Sequence, residues 1–246
     1  MKIKKLLFLI FLFLNVILCH SQNIEGKITF LASAKKVLNY IQKEDGKENK
    51  KRERKHVNEL YKNAKDINVI LRFNNSMSEY YTTNKMNVSN NENINLTRLM
   101  AGGRKTYYVQ NSTMSYNCNT LDCSLLGECF LIETIAPKWE LKQDTKIIQG
   151  FLCYKAILRN KNTKKITVEA WYAPKIPYQY GVMNYYDLPG VILEINKNTF
   201  TITAIKIEIN PIEKISIEIP KKVKKVTEKE FKSLTRKAMP GFYKRN

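Results

Sequence analysis

Histidine is almost missing from this chain, with only His20 and His56 among 246 residues. Imidazole is the usual proton carrier of Ser/His/Asp chemistry and a frequent metal ligand. His20 falls within an N-terminal leader pattern, and His56 lies in the charged run RERKHVNEL, where it reads as a solvated side chain. A triad hydrolase is therefore not expected, and no HExxH, GxSxG or phosphate-cradling glycine loop occurs. Gly102-Gly103-Arg104-Lys105 lacks P-loop spacing and reads as a glycine turn before a strand. Glycine and proline are scarce too, at nine and seven residues, which excludes collagen-like and low-complexity chains. Acid is in short supply: 22 Asp and Glu face 42 Lys and Arg, a formal charge of +20. Beyond residue 18 no apolar run approaches the ~20 residues of a membrane-spanning helix.

What is present begins with an address. Lys2, Lys4 and Lys5 precede an apolar run over residues 6–18, broken only by Asn15, and Cys19 and Ser21 place small side chains at −3 and −1. This is the pattern of a secretory signal peptide cleaved after Ser21, so the mature chain is expected in the periplasm or cell envelope. The bulky Leu18 before Cys19 argues against a lipoprotein cysteine. Four cysteines remain: Cys118, Cys123, Cys129 and Cys153. None forms CxxC, and the mature chain has one distant histidine, so no metal site is expected. An even number in an exported chain favours disulfides, with Cys118–Cys123 and Cys129–Cys153 preferred and free buried thiols as the alternative.

The positive charge is concentrated. Residues 221–246 carry ten basic and two acidic side chains, and residues 47–55 carry six and two. Export argues against nucleic acid as a partner. The tail reads either as solvated surface or as a site of attraction to an anionic membrane surface.

Alternation of apolar and polar residues predicts strands over 26–33, 67–73, 77–82, 104–112 and 130–135. Gly150 divides two further strands, 139–149 and 151–159, and the polar turn 160–164 leads to a strand over 166–172. Strand character returns over 191–195 and 200–209, with a bulge near Ala204-Ile205, and alternates again through Ile215, Ile217 and Ile219. A helical, charged insertion is expected over about 34–66, and an Asn-rich surface loop over 84–95. Thr227 and Glu230 form a capping-box pattern ahead of a short helix that Pro240-Gly241 ends. The expected fold class is mainly β (α+β), a curled antiparallel sheet, up to a half-barrel, with a few helices. Residues 22–220 form a single β-rich domain and 221–246 a basic tail with a short helix.

Three blocks occur in order: W-E-L with T-K-I-I-Q-G-F-L-C-Y-K-A from Trp139 to Ala156, A-W-Y-A-P-K-I-P from Ala170, and D-L-P-G-V-I-L from Asp187. They resemble the GLPGLI family of exported Bacteroidetes proteins, whose function is not established. The likeness is close over 139–195, and the motif proper is Leu188, Pro189, Gly190, Val191, Ile192 and Leu193. Asp187 stands where the family pattern has its first glycine, and Val182 stands in place of a proline.

Two readings of these residues stand. In one, Pro189-Gly190 is a turn that launches a core strand. In the other, Trp139, Trp171, Tyr172, Ile176, Tyr178 and Pro189 line an apolar groove. The leading functional expectation is a non-catalytic envelope protein that binds an apolar ligand or a protein segment, with no cofactor. An interaction module using the basic tail is the second. A hydrolase built on carboxylates such as Glu133, Glu140, Asp144, Glu169 and Asp187 is the third.

Overall fold

The computed structural model describes residues 24–34, 64–83, 95–112 and 115–240. The leader, nearly all of the expected helical insertion and nearly all of the Asn-rich loop lie outside the described residues. Among the described residues twelve strands follow in chain order: β1 Gly26–Ser33, β2 Ile67–Phe73, β3 Met77–Thr82, β4 Thr106–Asn111, β5 Tyr116–Asp122, β6 Phe130–Thr134, β7 Glu140–Ile148, β8 Phe151–Arg159, β9 Ile166–Ala173, β10 Val191–Lys197, β11 Phe200–Ile209 and β12 Lys224–Thr227. Helix α1, Leu96–Met100, precedes β4, and helix α2, Glu228–Ala238, follows β12.

All twelve strands join one sheet in the order β12-β6-β5-β4-β3-β2-β1-β11-β10-β9-β8-β7. This corrects the expected curled antiparallel sheet or half-barrel. The sheet is mixed, because β12 runs parallel to β6, and among the described residues it is open, ending at β12 on one side and β7 on the other. Period-two alternation shows which face of a strand is buried, but it carries no information on which strands become neighbours or whether the ends meet. Helix α2 packs against β12 and β6 at one edge, and the five-residue α1, capped by the Asn95 side chain, lies against β1 with Leu96 and Met100 on the core cluster.

One face of the sheet is the core. Ile28, Phe30 and Ala32 of β1, Val69, Leu71 and Phe73 of β2, Ala170 and Tyr172 of β9, and Ile195, Ile202 and Ala204 share a single buried cluster. Opposite β1, β11 carries the expected bulge: Thr29 pairs with Lys206 and Phe30 with Ala204, so Ile205 is passed over. The outer face is partly covered. Residues 211–223 alternate as the sequence predicts, yet they form no ladder there. They cross the outer face as an extended strap whose Ile215 and Ile217 pack on Tyr108 and Leu131. Glu25 accepts the Ile215 N–H at 2.8 Å and the Asn74 amide donates to the Ile215 carbonyl at 3.1 Å, fixing the strap at its middle.

The disulfide pairing is also corrected. The bond joins Cys123 to Cys129, while Cys118 and Cys153 are free and buried. Cys118 and Cys123 lie along one extended stretch, about 16 Å apart for five residues of strand, far beyond disulfide reach. Asp122 pairs with Phe130 across the β5–β6 hairpin, so the next residues outward, Cys123 and Cys129, face each other.

Candidate functional site

Between β9 and β10 the chain leaves the sheet, and residues 174–190 pack into the core cluster. Its ends are tied together: the Val191 N–H donates to the Ile176 carbonyl at 3.1 Å and the Ile192 N–H to the Tyr180 carbonyl at 3.0 Å. Tyr178 and Tyr180 stack at 5.2 Å, and both rings contact Phe73. Their hydroxyls are used as well. Tyr178 accepts the Ile24 N–H at 3.2 Å, and Tyr180 donates to the Asn74 carbonyl at 3.1 Å. Tyr186 reaches the Thr134 carbonyl at 3.3 Å, and the Trp139 indole donates to the Tyr186 carbonyl at 2.8 Å.

Two backbone requirements account for the motif here. Gly190 has φ +146°, and a Cβ on it would stand 2.4 Å from the Ala173 carbonyl oxygen, so two chain segments meet without room for a side chain. Asp187 has φ +69°, the left-handed region in which glycine is relaxed and other residues are strained. A glycine at this position would be relaxed. Asp187 takes the same conformation, and partial desolvation raises the carboxyl of this exposed residue above the ordinary aspartate range.

A second set of motif residues gathers on the outer face. Lys146 of β7 pairs across to Cys153 of β8, and Lys155 of β8 pairs across to Trp171 of β9. The Lys146 ammonium stands 4.4 Å from the centre of the Trp171 ring and ends 2.7 Å from Glu194 of β10, which also accepts from Thr203 at 3.3 Å. Lys155 lies 5.8 Å from the same ring and 3.4 Å from Glu169. The result is a clasp: Lys146 reaches from the edge strand to the fourth strand inward, joining cation–π contact to a charge-assisted hydrogen bond. Beside it, burial pushes the Cys153 thiol up to about 11, and the Cys118 thiol stands at about 12 for the same reason. Both are protonated at neutral pH and are not nucleophiles in that form.

The groove candidates are thus split. Tyr172, Ile176 and Tyr178 are core residues, Trp171 faces the opposite side from its neighbour Tyr172, Trp139 is half-buried and Pro189 is exposed. Leu188, Val191, Ile192 and Leu193 are buried. Of the carboxylates, Glu140 hydrogen-bonds Lys142 and Arg159, which hold it below the ordinary glutamate range and keep it ionised. Glu169 is paired with Lys155, while Glu133 and Asp144 are exposed on different strands. Among the described residues no group of His, Cys, Asp and Glu is arranged to hold a metal ion.

Sequence reasoning missed the edge. Strand β7 is nine residues long and open on one side, and it displays Leu141 at 54% and Ile147 at 73% exposure beside Leu152 of β8 at 50%. Ile147 and Leu152 are cross-strand partners, so they form one apolar patch. The sequence gives no signal for it, because Leu141, Ile147 and Leu152 are three of many apolar residues in this hairpin and their exposure depends on β7 being terminal.

A family model described as a protein of unknown function (Porph_ging) matches residues 158–194, the stretch that holds β9, the buried segment and the start of β10. No curated protein matches the chain. PNGF-II is similar in two solved structures. In the C2 crystal form the TM-score is 0.53 at 12% identity, over 88% of this chain and 33% of that one. In the P21 form it is 0.53 at 11%, over 87% and 33%. At such identities the likeness is one of fold alone, and this chain spans about a third of the length of PNGF-II.

Proposed function

We propose that the protein is an exported, non-catalytic binding protein of the GLPGLI type that takes an extended polypeptide segment at the β7 edge. The reading is carried by one observation, a nine-residue strand edge that is open among the described residues and flanked by exposed Leu141, Ile147 and Leu152. An open edge offers unpaired N–H and C=O groups to an added strand, and neighbouring apolar side chains supply contact area. The Lys146 clasp to Trp171 and Glu194 supports it, since a held edge loses less freedom on binding. Export rests on the leader pattern. A small apolar ligand is favoured less, because Tyr172, Ile176 and Tyr178 are already engaged in the core.

A photo-crosslinking residue placed at position 147 in cells tests this. A discrete adduct with a second polypeptide from position 147, and none from the exposed control position 205, is expected. Absence of an adduct at 147 overturns the reading. An extra small-molecule mass on the purified mature protein, lost on organic extraction, would redirect it to ligand carriage.

A further inference from the structure

The order of residues along β7 narrows what its edge accepts. Glu140 and Lys146 lie on the outer face, opposite Ile157 and Cys153, while Leu141, Thr145 and Ile147 lie on the core side, opposite Ala156, Tyr154 and Leu152. Between Leu141 and Thr145 the register with β8 slips by two residues, an even number, so the two faces stay in phase on either side of the slip. The outer row therefore reads Glu140, Lys142, Asp144 and Lys146, with the sign of charge alternating along it. Glu140 pairs with Lys142 and Arg159, and Lys146 with Glu194. Asp144 is exposed and has no ion-pair partner among the described residues.

We infer that the β7 edge pairs with the β7 edge of a second copy of this chain, antiparallel about a two-fold axis at Gln143. The inference rests on the β7 reading above and names its occupant. Turned end for end, the charged row is its own complement. With Gln143 facing Gln143, Glu140 stands opposite Lys146 of the second copy and Lys142 opposite Asp144, and symmetry makes each pair occur twice. A slide of two residues in either direction instead sets Lys142 against Lys146 or Glu140 against Asp144. A slide of one residue would turn the core side of one copy to the outer side of the other. On the core side the same register sets Ile147 opposite Trp139 and Leu141 opposite Thr145, which covers the exposed apolar side chains of the edge. Charge thus selects one register and one partner. Two short edges make a small contact, so the dimer is a reversible one.

Sedimentation equilibrium of the mature chain, residues 22–246, tests this, and a concentration-dependent dimer is expected. K142E and D144K each set like charges opposite one another at two places and should weaken dimerisation about 10-fold or more. An equimolar mixture of the two variants should restore it, because each then faces the opposite charge on the other. On mild oxidation Q143C should form a disulfide-linked dimer across the axis, whereas I205C, at an exposed position on β11, should not. Circular dichroism checks that each variant remains folded. A monomer at every concentration, an unaffected K142E, a mixture no tighter than its components, or a dimer that Q143C does not trap overturns the inference. The β7 reading fails separately. A crosslinked adduct from position 147 with a different polypeptide, beside a monomeric mature chain, keeps that reading and removes only the second copy, whereas no adduct at all removes both.

Discussion

The buried segment between β9 and β10 and the outer face of β7 to β10 are governed by different physics. In residues 174–190 the controlling quantity is space: Gly190 lies against the backbone at Ala173, and every aromatic hydroxyl named above has a backbone partner. On the outer face of β7 to β10 it is charge: Lys146, Lys155, Trp171, Glu169 and Glu194 are half-buried and held by one another. The inner set tolerates little change, because close-packed interiors transmit any added volume. The outer set borders solvent, where ion pairs contribute modestly to stability and side chains can be exchanged. The stretch from Trp139 to Ile195 therefore combines a packing requirement with a surface one.

Substitutions can break this contrast. The largest effect is expected from Gly190→Ala, which adds a methyl group against the Ala173 carbonyl at a positive φ. It should lower unfolding free energy by about 3 kcal/mol or more in urea titration. Tyr180→Phe leaves the Asn74 carbonyl without its donor and should cost about 1.5 kcal/mol by the same measurement. On the outer face Lys146→Met should cost about 1 kcal/mol or less, while changing the emission of Trp171 as the ammonium leaves its ring. A loss on Lys146→Met as large as that of Gly190→Ala would erase the distinction.

The smallest effect has the opposite sign. Asp187→Gly relieves the left-handed backbone and should stabilise by about 0.5–1 kcal/mol at neutral pH. The pH dependence follows from the carboxyl being held above its ordinary value by partial desolvation. The folded state then binds the proton more tightly than the unfolded one, so wild-type stability rises as pH falls through the folded value toward the ordinary aspartate value. The advantage of the glycine variant should therefore shrink in acid, to the part due to φ alone. Urea midpoints compared at neutral and acid pH check this, and an advantage that grows in acid would contradict it.

Much of the secondary structure was legible beforehand. The bounds of β1, β2 and β3 coincide with the alternating runs, and the capping box at Thr227 and Glu230 forms as its spacing predicts. The turn-and-core reading of residues 188–193 matches their burial, apart from the exposed Pro189. The strap was read as a strand because alternation reports an extended chain with one buried side, whichever partner does the burying. The β7 patch was illegible, because Ile147 and Leu152 are unremarkable in a central hairpin and exposed only at an edge.

The sequence by itself determined where most of the strands run, though not β5 or β12, which side of most of them is apolar, and where α2 starts. Those properties depend on residues within a few positions of one another, through side-chain alternation and local capping. Only the tertiary structure decided that β1 lies beside β11, that β12 joins β6 in parallel, that the sheet stays open, and that Cys123 meets Cys129. It also decided that Lys146 reaches Glu194, 48 residues away in sequence. Such pairings depend on the free energy of bringing distant segments together, and local alternation is the same whichever neighbour a strand acquires.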